Sequence, residues 1–62
     1  MYERLKEKHV KIVFLDGTKI NVIKGTFLDF SEEYKQIILL NHETRQETII
    51  SISSINKLEV VD

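Results

Sequence analysis

The 62-residue chain reads as mainly β: a short N-terminal helix over residues 1–8, then a five-stranded, strongly bent antiparallel barrel over residues 9–62. Three observations predict this. Apolar residues recur with a period of two from Val10 onward, Asp16-Gly17 separates the first two alternating runs, and Gly25 lies inside the second.

The opening residues are charged, and Tyr2, Leu5 and His9 fall at i, i+3 and i+7, the stripe of a short amphipathic helix that cannot stand alone in water. In the first strand Val10, Ile12 and Phe14 point one way and Lys11, Val13 and Leu15 the other. Asp16-Gly17 predicts a type I′ hairpin, whose two central residues both need positive φ. The second strand starts near Thr18 and runs to Phe27 and Leu28, with Gly25 read as a bulge or sharp bend. A polar turn over residues 29–34 follows. Residues 36–40 hold four consecutive apolar groups, which predicts a third strand covered on both faces. A turn at residues 41–44 leads to the fourth strand, residues 46–52, where Thr48, Ile50 and Ile52 alternate with Glu47, Ile49 and Ser51. Ser53-Ser54 breaks the chain before a fifth strand over residues 55–61. Five short strands, a tight hairpin and a bent second strand describe one small barrel. Its interior cannot hide all the apolar groups, so some of them, such as Val13, Leu15 or Ile49, are expected to meet the helix or another chain.

Composition bounds the chemistry. The absence of cysteine removes disulfides, thiolate metal sites and thiol nucleophiles together. No apolar run approaches the ~18 residues of a membrane span, and the charged start does not read as a signal peptide, so a soluble, cytoplasmic protein is expected. The net charge of −1 conceals an asymmetry. Residues 1–24 carry six lysine or arginine side chains against three carboxylates, whereas residues 25–62 carry three against seven. Bulk electrostatics therefore does not drive nucleic-acid binding, and any such site is local.

His9 and His42 are the only histidines, and a whole hairpin separates them in sequence; they read as solvated or capping groups, and no metal site or cofactor is expected. Ser51, Ser53 and Ser54 lack a nucleophile elbow and read as bonding their own backbone. Adjacent Glu32 and Glu33 read as a solvated loop rather than an acid/base pair. With only Gly17 and Gly25 there is no glycine-rich phosphate loop, and no enzyme is expected. Binding chemistry is better represented. Phe27 reads as core, while Phe30 and Tyr34 read either as a core lid or as a platform for a stacked base. At the next turn Asn41, His42 and Arg45 combine an amide, a ring and a fork donor, suited to base edges and phosphates or simply to a polar hairpin tip. Lys6, Lys8 and Lys11 form a basic strip or a solvated face.

The run Val10-Lys11-Ile12-Val13-Phe14-Leu15-Asp16-Gly17, followed by Gly25-Thr26-Phe27-Leu28-Asp29-Phe30 and Ile37-Ile38-Leu39-Leu40, resembles the first signature of the Sm-like family. Residues 43–50 and Ile52-Ser53-Ser54-Ile55 look like the second. The resemblance implies an Sm-like (SH3-like) barrel that binds single-stranded RNA in homo-oligomeric rings, each subunit joined to the next through strands four and five. On it, Phe30, Tyr34, Asn41, His42 and Arg45 are the RNA-binding candidates. The chain departs from the family in a longer second strand. It has neither the Lys-His nor the Arg-Gly pair of the second signature, and Ser31-Glu32-Glu33 follows Asp29 where RNA-binding relatives place an asparagine. Asp16-Gly17 and Glu43-Thr44-Arg45 also resemble the small Rho-binding antiterminator family, Rof. That resemblance implies a protein-binding regulator that sets an acidic face, here Asp29, Glu32, Glu33, Glu43 and Glu47, against a basic partner such as a transcription termination factor.

Overall fold

The computed structural model describes residues 2–61. Its strands are β1 (His9–Asp16), β2 (Lys19–Ser31), β3 (Gln36–Asn41), β4 (Glu47–Ser51) and β5 (Ile55–Val60). They form one antiparallel sheet in the order β4-β3-β2-β1-β5, so β4 and β5 stand at its edges. The predicted five-stranded, mainly β architecture is the one observed.

The length of β2 explains the curl. Thirteen extended residues would span ~43 Å at about 3.3 Å each, whereas the longest dimension of the molecule is 29 Å. The strand bends and changes partners along its length. Lys19 to Thr26 pair with β1, and Gly25 to Ser31 pair with β3. Gly25 sits at the handover. Its backbone lies so close to β3 that a Cβ there would come within 2.4 Å of the Leu40 carbonyl oxygen. The register shift expected at Gly25 instead lies between Phe27 and Asp29, with a second between Val13 and Phe14 against β5. Gly25 is required for close approach rather than for a bulge.

The hairpin differs from the prediction in a telling way. Asp16 pairs with Lys19, so the two loop residues are Gly17 and Thr18, and of these only Gly17 has positive φ (66°). Positive φ at the first central residue alone matches a type II′ turn, in which glycine occupies that position, and not the expected type I′.

The predicted helix over residues 1–8 is replaced by a single 3-10 turn, Tyr2–Leu5; Met1 lies outside the described residues. The backbone then turns at Glu7, whose φ is +66°, and joins β2: Glu7 N–H donates to the Phe27 carbonyl (2.7 Å) and Phe27 N–H to the Lys8 carbonyl (2.9 Å). Sheet pairing captures the residues a second helical turn would need. His9 accordingly belongs to β1 and lies exposed, off the stripe predicted for it, while Tyr2 and Leu5 still pack on the core.

That core comprises Val10 and Ile12 from β1, Phe27 from β2, Ile37 and Leu39 from β3 and Ile50 from β4. The period-two assignment of inward residues holds in β1 and β4, and Phe27 is core as expected; β3, expected to be covered on both faces, buries Ile37 and Leu39 and leaves Ile38 and Leu40 half-buried. Ile52, expected to extend β4, begins a second 3-10 turn, Ile52–Ser54, whose side chain packs against the core. Leu15, Ile20, Val22 and Ile49 remain exposed, and the N-terminal turn covers none of them. Among the described residues no helix is long and apolar enough to cross a membrane.

Candidate functional site

The sequence-predicted binding residues occupy the two opposite ends of β3. Six extended residues separate those ends by roughly 17–20 Å.

At the first end, the β2–β3 turn is fixed by the Ser31 hydroxyl, which accepts from Tyr34 N–H (3.1 Å), and by a positive φ at Lys35 (53°). The Lys35 carbonyl accepts from Ile52 N–H (2.8 Å), drawing the second 3-10 turn alongside. A shallow groove of about 380 Å³ opens here, lined by Tyr2, Glu32, Lys35 and Ile52. Tyr34 projects into solvent, 70% exposed. Phe30 does not. Tyr2 packs against its ring at 5.5 Å between centroids, and Lys6 Nζ lies 5.8 Å from the ring centre. Lys6 also pairs with Asp29 at 3.3 Å, and Asp29 accepts from Phe30 N–H at 2.8 Å. That backbone bond first, and the lysine second, hold the Asp29 carboxyl below its ordinary range. Of the two readings open for Phe30, the lid is the one observed.

At the second end, the side chain of Asn41 organises the β3–β4 turn. Its Oδ1 accepts from the N–H groups of Glu43 (2.8 Å) and Thr44 (3.4 Å), while its carbonyl accepts from Arg45 N–H (2.8 Å). Such an Asx turn is the local chemistry asparagine favours. Arg45 takes a positive φ of 61° to close the loop. His42 N–H donates to the Lys24 carbonyl (3.0 Å), tying the turn to β2. The His42 ring then lies between two strands. Its Nε2 is 2.8 Å from Thr26 Oγ1, and its centroid is 5.0 Å from that of His9, with the rings nearly perpendicular at 83°. Thr26 is the cross-strand partner of His9, so the three side chains form one cluster.

His42 and Asn41 separate two adjoining grooves. One, of about 490 Å³, is lined by Val22, Ile23, Lys24, Asn41, His42 and Glu43. The other, of about 360 Å³, is lined by Leu40, Asn41, His42 and Arg45. Each offers an apolar floor, a ring and a cation, the combination that accommodates a base and its phosphate.

The structure thus unites Asn41, His42 and Arg45, separates them from Phe30 and Tyr34, and adds His9, Lys24 and Thr26. The acidic candidates divide in the same way, Asp29, Glu32 and Glu33 at one end and Glu43 and Glu47 at the other. Ser51 and Ser53, expected to bond their own backbone, instead share a side-chain bond of 3.0 Å. Among the described residues no three histidine or acidic side chains gather as metal ligands. Set against protein-family models, curated proteins and solved structures, the chain matches none of them.

Proposed function

We propose that the chain is a non-catalytic Sm-like RNA-binding module acting in RNA-level regulation, and that it self-associates through the free edges of β4 and β5. The observation that carries this reading is the pair of grooves meeting at Asn41 and His42, with Lys24 on one side and Arg45 on the other. A single strand laid across them meets a ring for stacking, an amide for base edges and a cation for phosphate in each direction. The binding surface proposed is therefore Lys24, Asn41, His42 and Arg45, with Phe30 excluded by Tyr2 and Lys6. Edge strands with exposed apolar groups, Ile49 on β4 and Val60 on β5, favour strand-to-strand assembly.

The test is solution mass by light scattering together with titration of a labelled oligouridylate and oligoadenylate at low salt, where phosphate contacts are strongest. A closed ring that binds either oligomer supports the proposal. A monomer or dimer that binds neither refutes it and favours a regulator that docks on a basic protein; Glu32 and Glu33, exposed side by side on the β2–β3 turn, would be its first contacts.

A further inference from the structure

We propose that His9 and His42, with Lys24, form a proton-linked phosphate clasp on the outer face of β1 and β2, so that RNA binds this face more tightly as the histidines become charged. The proposal rests on the RNA-binding reading above and names the part of the surface that grips the backbone.

Charge balance around the cluster supplies the reason. Lys24 and Glu43 both line the larger groove. Beyond Lys24, its cross-strand partner Lys11 is flanked on β5 by Glu59, which also pairs with Lys57. On the other side Arg45 lines the second groove, and Glu47 sits across β3 from Leu40, the neighbour of Thr26. Lys8 precedes His9 in the chain. The cations Lys8, Lys11, Lys24, Arg45 and Lys57 outnumber the carboxylates Glu43, Glu47 and Glu59, so the face already favours an anion. The imidazoles, the side-chain type whose charge changes between about pH 5 and 8, add to that attraction when charged.

Geometry makes the coupling to an anion steep. With the rings 5.0 Å apart, charging one is compatible with the other as a neutral edge-to-face partner, but charging both sets two imidazolium ions against each other. An anion beside them relieves that repulsion, so the second proton and the phosphate favour each other's binding. The Thr26 hydroxyl prepares the site. Once His42 is protonated both ring nitrogens are donors, and Thr26 Oγ1 accepts from Nε2–H, which leaves Nδ1–H for the ligand. No competing bond to that nitrogen is needed for the fold, because the His42 backbone is held separately by Lys24.

The experiment is fluorescence anisotropy with a labelled oligouridylate, at constant ionic strength, from about pH 8 to about pH 5.5. The wild-type chain should bind several-fold more tightly at the acid end, where charged imidazoles add to the cations that meet the phosphates. Its affinity should also fall more steeply with salt there, by up to about two phosphate contacts. The double variant His9→Gln, His42→Gln should bind more weakly than the wild type for want of the His42 ring, and with the same affinity at both ends of the pH range. Lys24→Gln should weaken binding at every pH and keep the slope. Far-ultraviolet circular dichroism at both pH limits confirms that each variant is folded, and Thr26→Val provides a second, milder perturbation that should reduce the slope. Binding that is unchanged with pH, or a slope that survives the double variant, overturns the clasp and leaves the RNA-binding reading standing. No binding at any pH overturns both.

Discussion

Replacing Gly25 with alanine would set a methyl carbon 2.4 Å from the Leu40 carbonyl oxygen, 3.1 Å from its carbonyl carbon and 3.4 Å from the Cα of Asn41. Ordinary carbon contacts begin near 3.5 Å. The obstructing atoms are backbone, paired within β3, so the clash cannot be relieved by turning a side chain. Overpacking of this kind costs typically about 1–3 kcal/mol. Against it stands the lower entropy of an unfolded chain with alanine, about 0.4–1 kcal/mol in the opposite sense where alanine fits without strain. The clash prevails, with a net loss of about 1–2 kcal/mol on those two magnitudes. For a domain of this length, whose whole stability is about 3–9 kcal/mol, that is a large fraction. It corresponds to a melting temperature lower by roughly 5–15 °C. Urea and thermal unfolding followed by circular dichroism would measure it. A variant as stable as the parent, or more so, would refute the claim that close packing of β2 on β3 is what requires glycine here.

Four further outcomes follow from the same structure. Gly17→Ala should cost about 1–2 kcal/mol through its positive φ alone, since no atom lies within 4 Å of the added carbon, and Gly17→Asn should cost less; equal losses in urea unfolding would contradict the turn assignment. Phe27→Ala removes a fully buried ring stacked on Tyr2 and should cost about 3–5 kcal/mol, enough to leave much of the chain unfolded by circular dichroism at room temperature. Asp29 has a folded-state pKa held below its unfolded value, so its contribution is present above about pH 4 and is lost as pH falls through the folded value. The stability difference between wild type and Asp29→Asn should therefore close on acidification, and a difference that widens would reverse the assignment. Ile49→Lys, at a position 61% exposed on edge strand β4, should change monomer stability by less than about 0.5 kcal/mol yet reduce the mass of any assembly built on that edge; an unchanged mass would place the contact elsewhere.

The inward faces of β1 and β4 were legible because burial in a sheet alternates with period two, and Val10, Ile12 and Ile50 follow it; in β3 the unbroken apolar run hid that Ile37 and Leu39, and not Ile38 and Leu40, are the fully buried pair. The first eight residues were not, because a stripe at i, i+3 and i+7 carries no information about a competing strand. Leu5 and Tyr2 satisfy the stripe by packing on the core from a 3-10 turn, and the hydrogen bonds between residues 7–8 and Phe27 are long-range choices that local periodicity cannot weigh. The bend in β2 was legible in Gly25, but its mechanism was not. A strand glycine signals either a bulge or a close neighbour, and deciding between them requires knowing that Leu40 lies opposite.

The candidate cluster was half legible, and what hid the other half is the register of one hairpin. Asn41, His42 and Arg45 are near neighbours in sequence and announce themselves as a group. His9 and Thr26 do not, yet counting outward from the turn assigns their partner. With Asp16 and Gly17 as the central residues, His9 would face Lys24; with Gly17 and Thr18 central, as observed, it faces Thr26. Both registers put the same residues on the same face, so the alternation that fixed the core is blind to the difference. The two-residue shift nevertheless decides the chemistry. It sets His9 opposite Thr26, whose hydroxyl lies 2.8 Å from His42 Nε2, and it sets Lys24 opposite Lys11 in place of His9. Two like charges facing each other across strands destabilise a sheet. Here Lys11 also faces Glu59 across β1 and β5, so the sheet itself offsets that repulsion, and the Lys11–Lys24 pair alone points to no ligand.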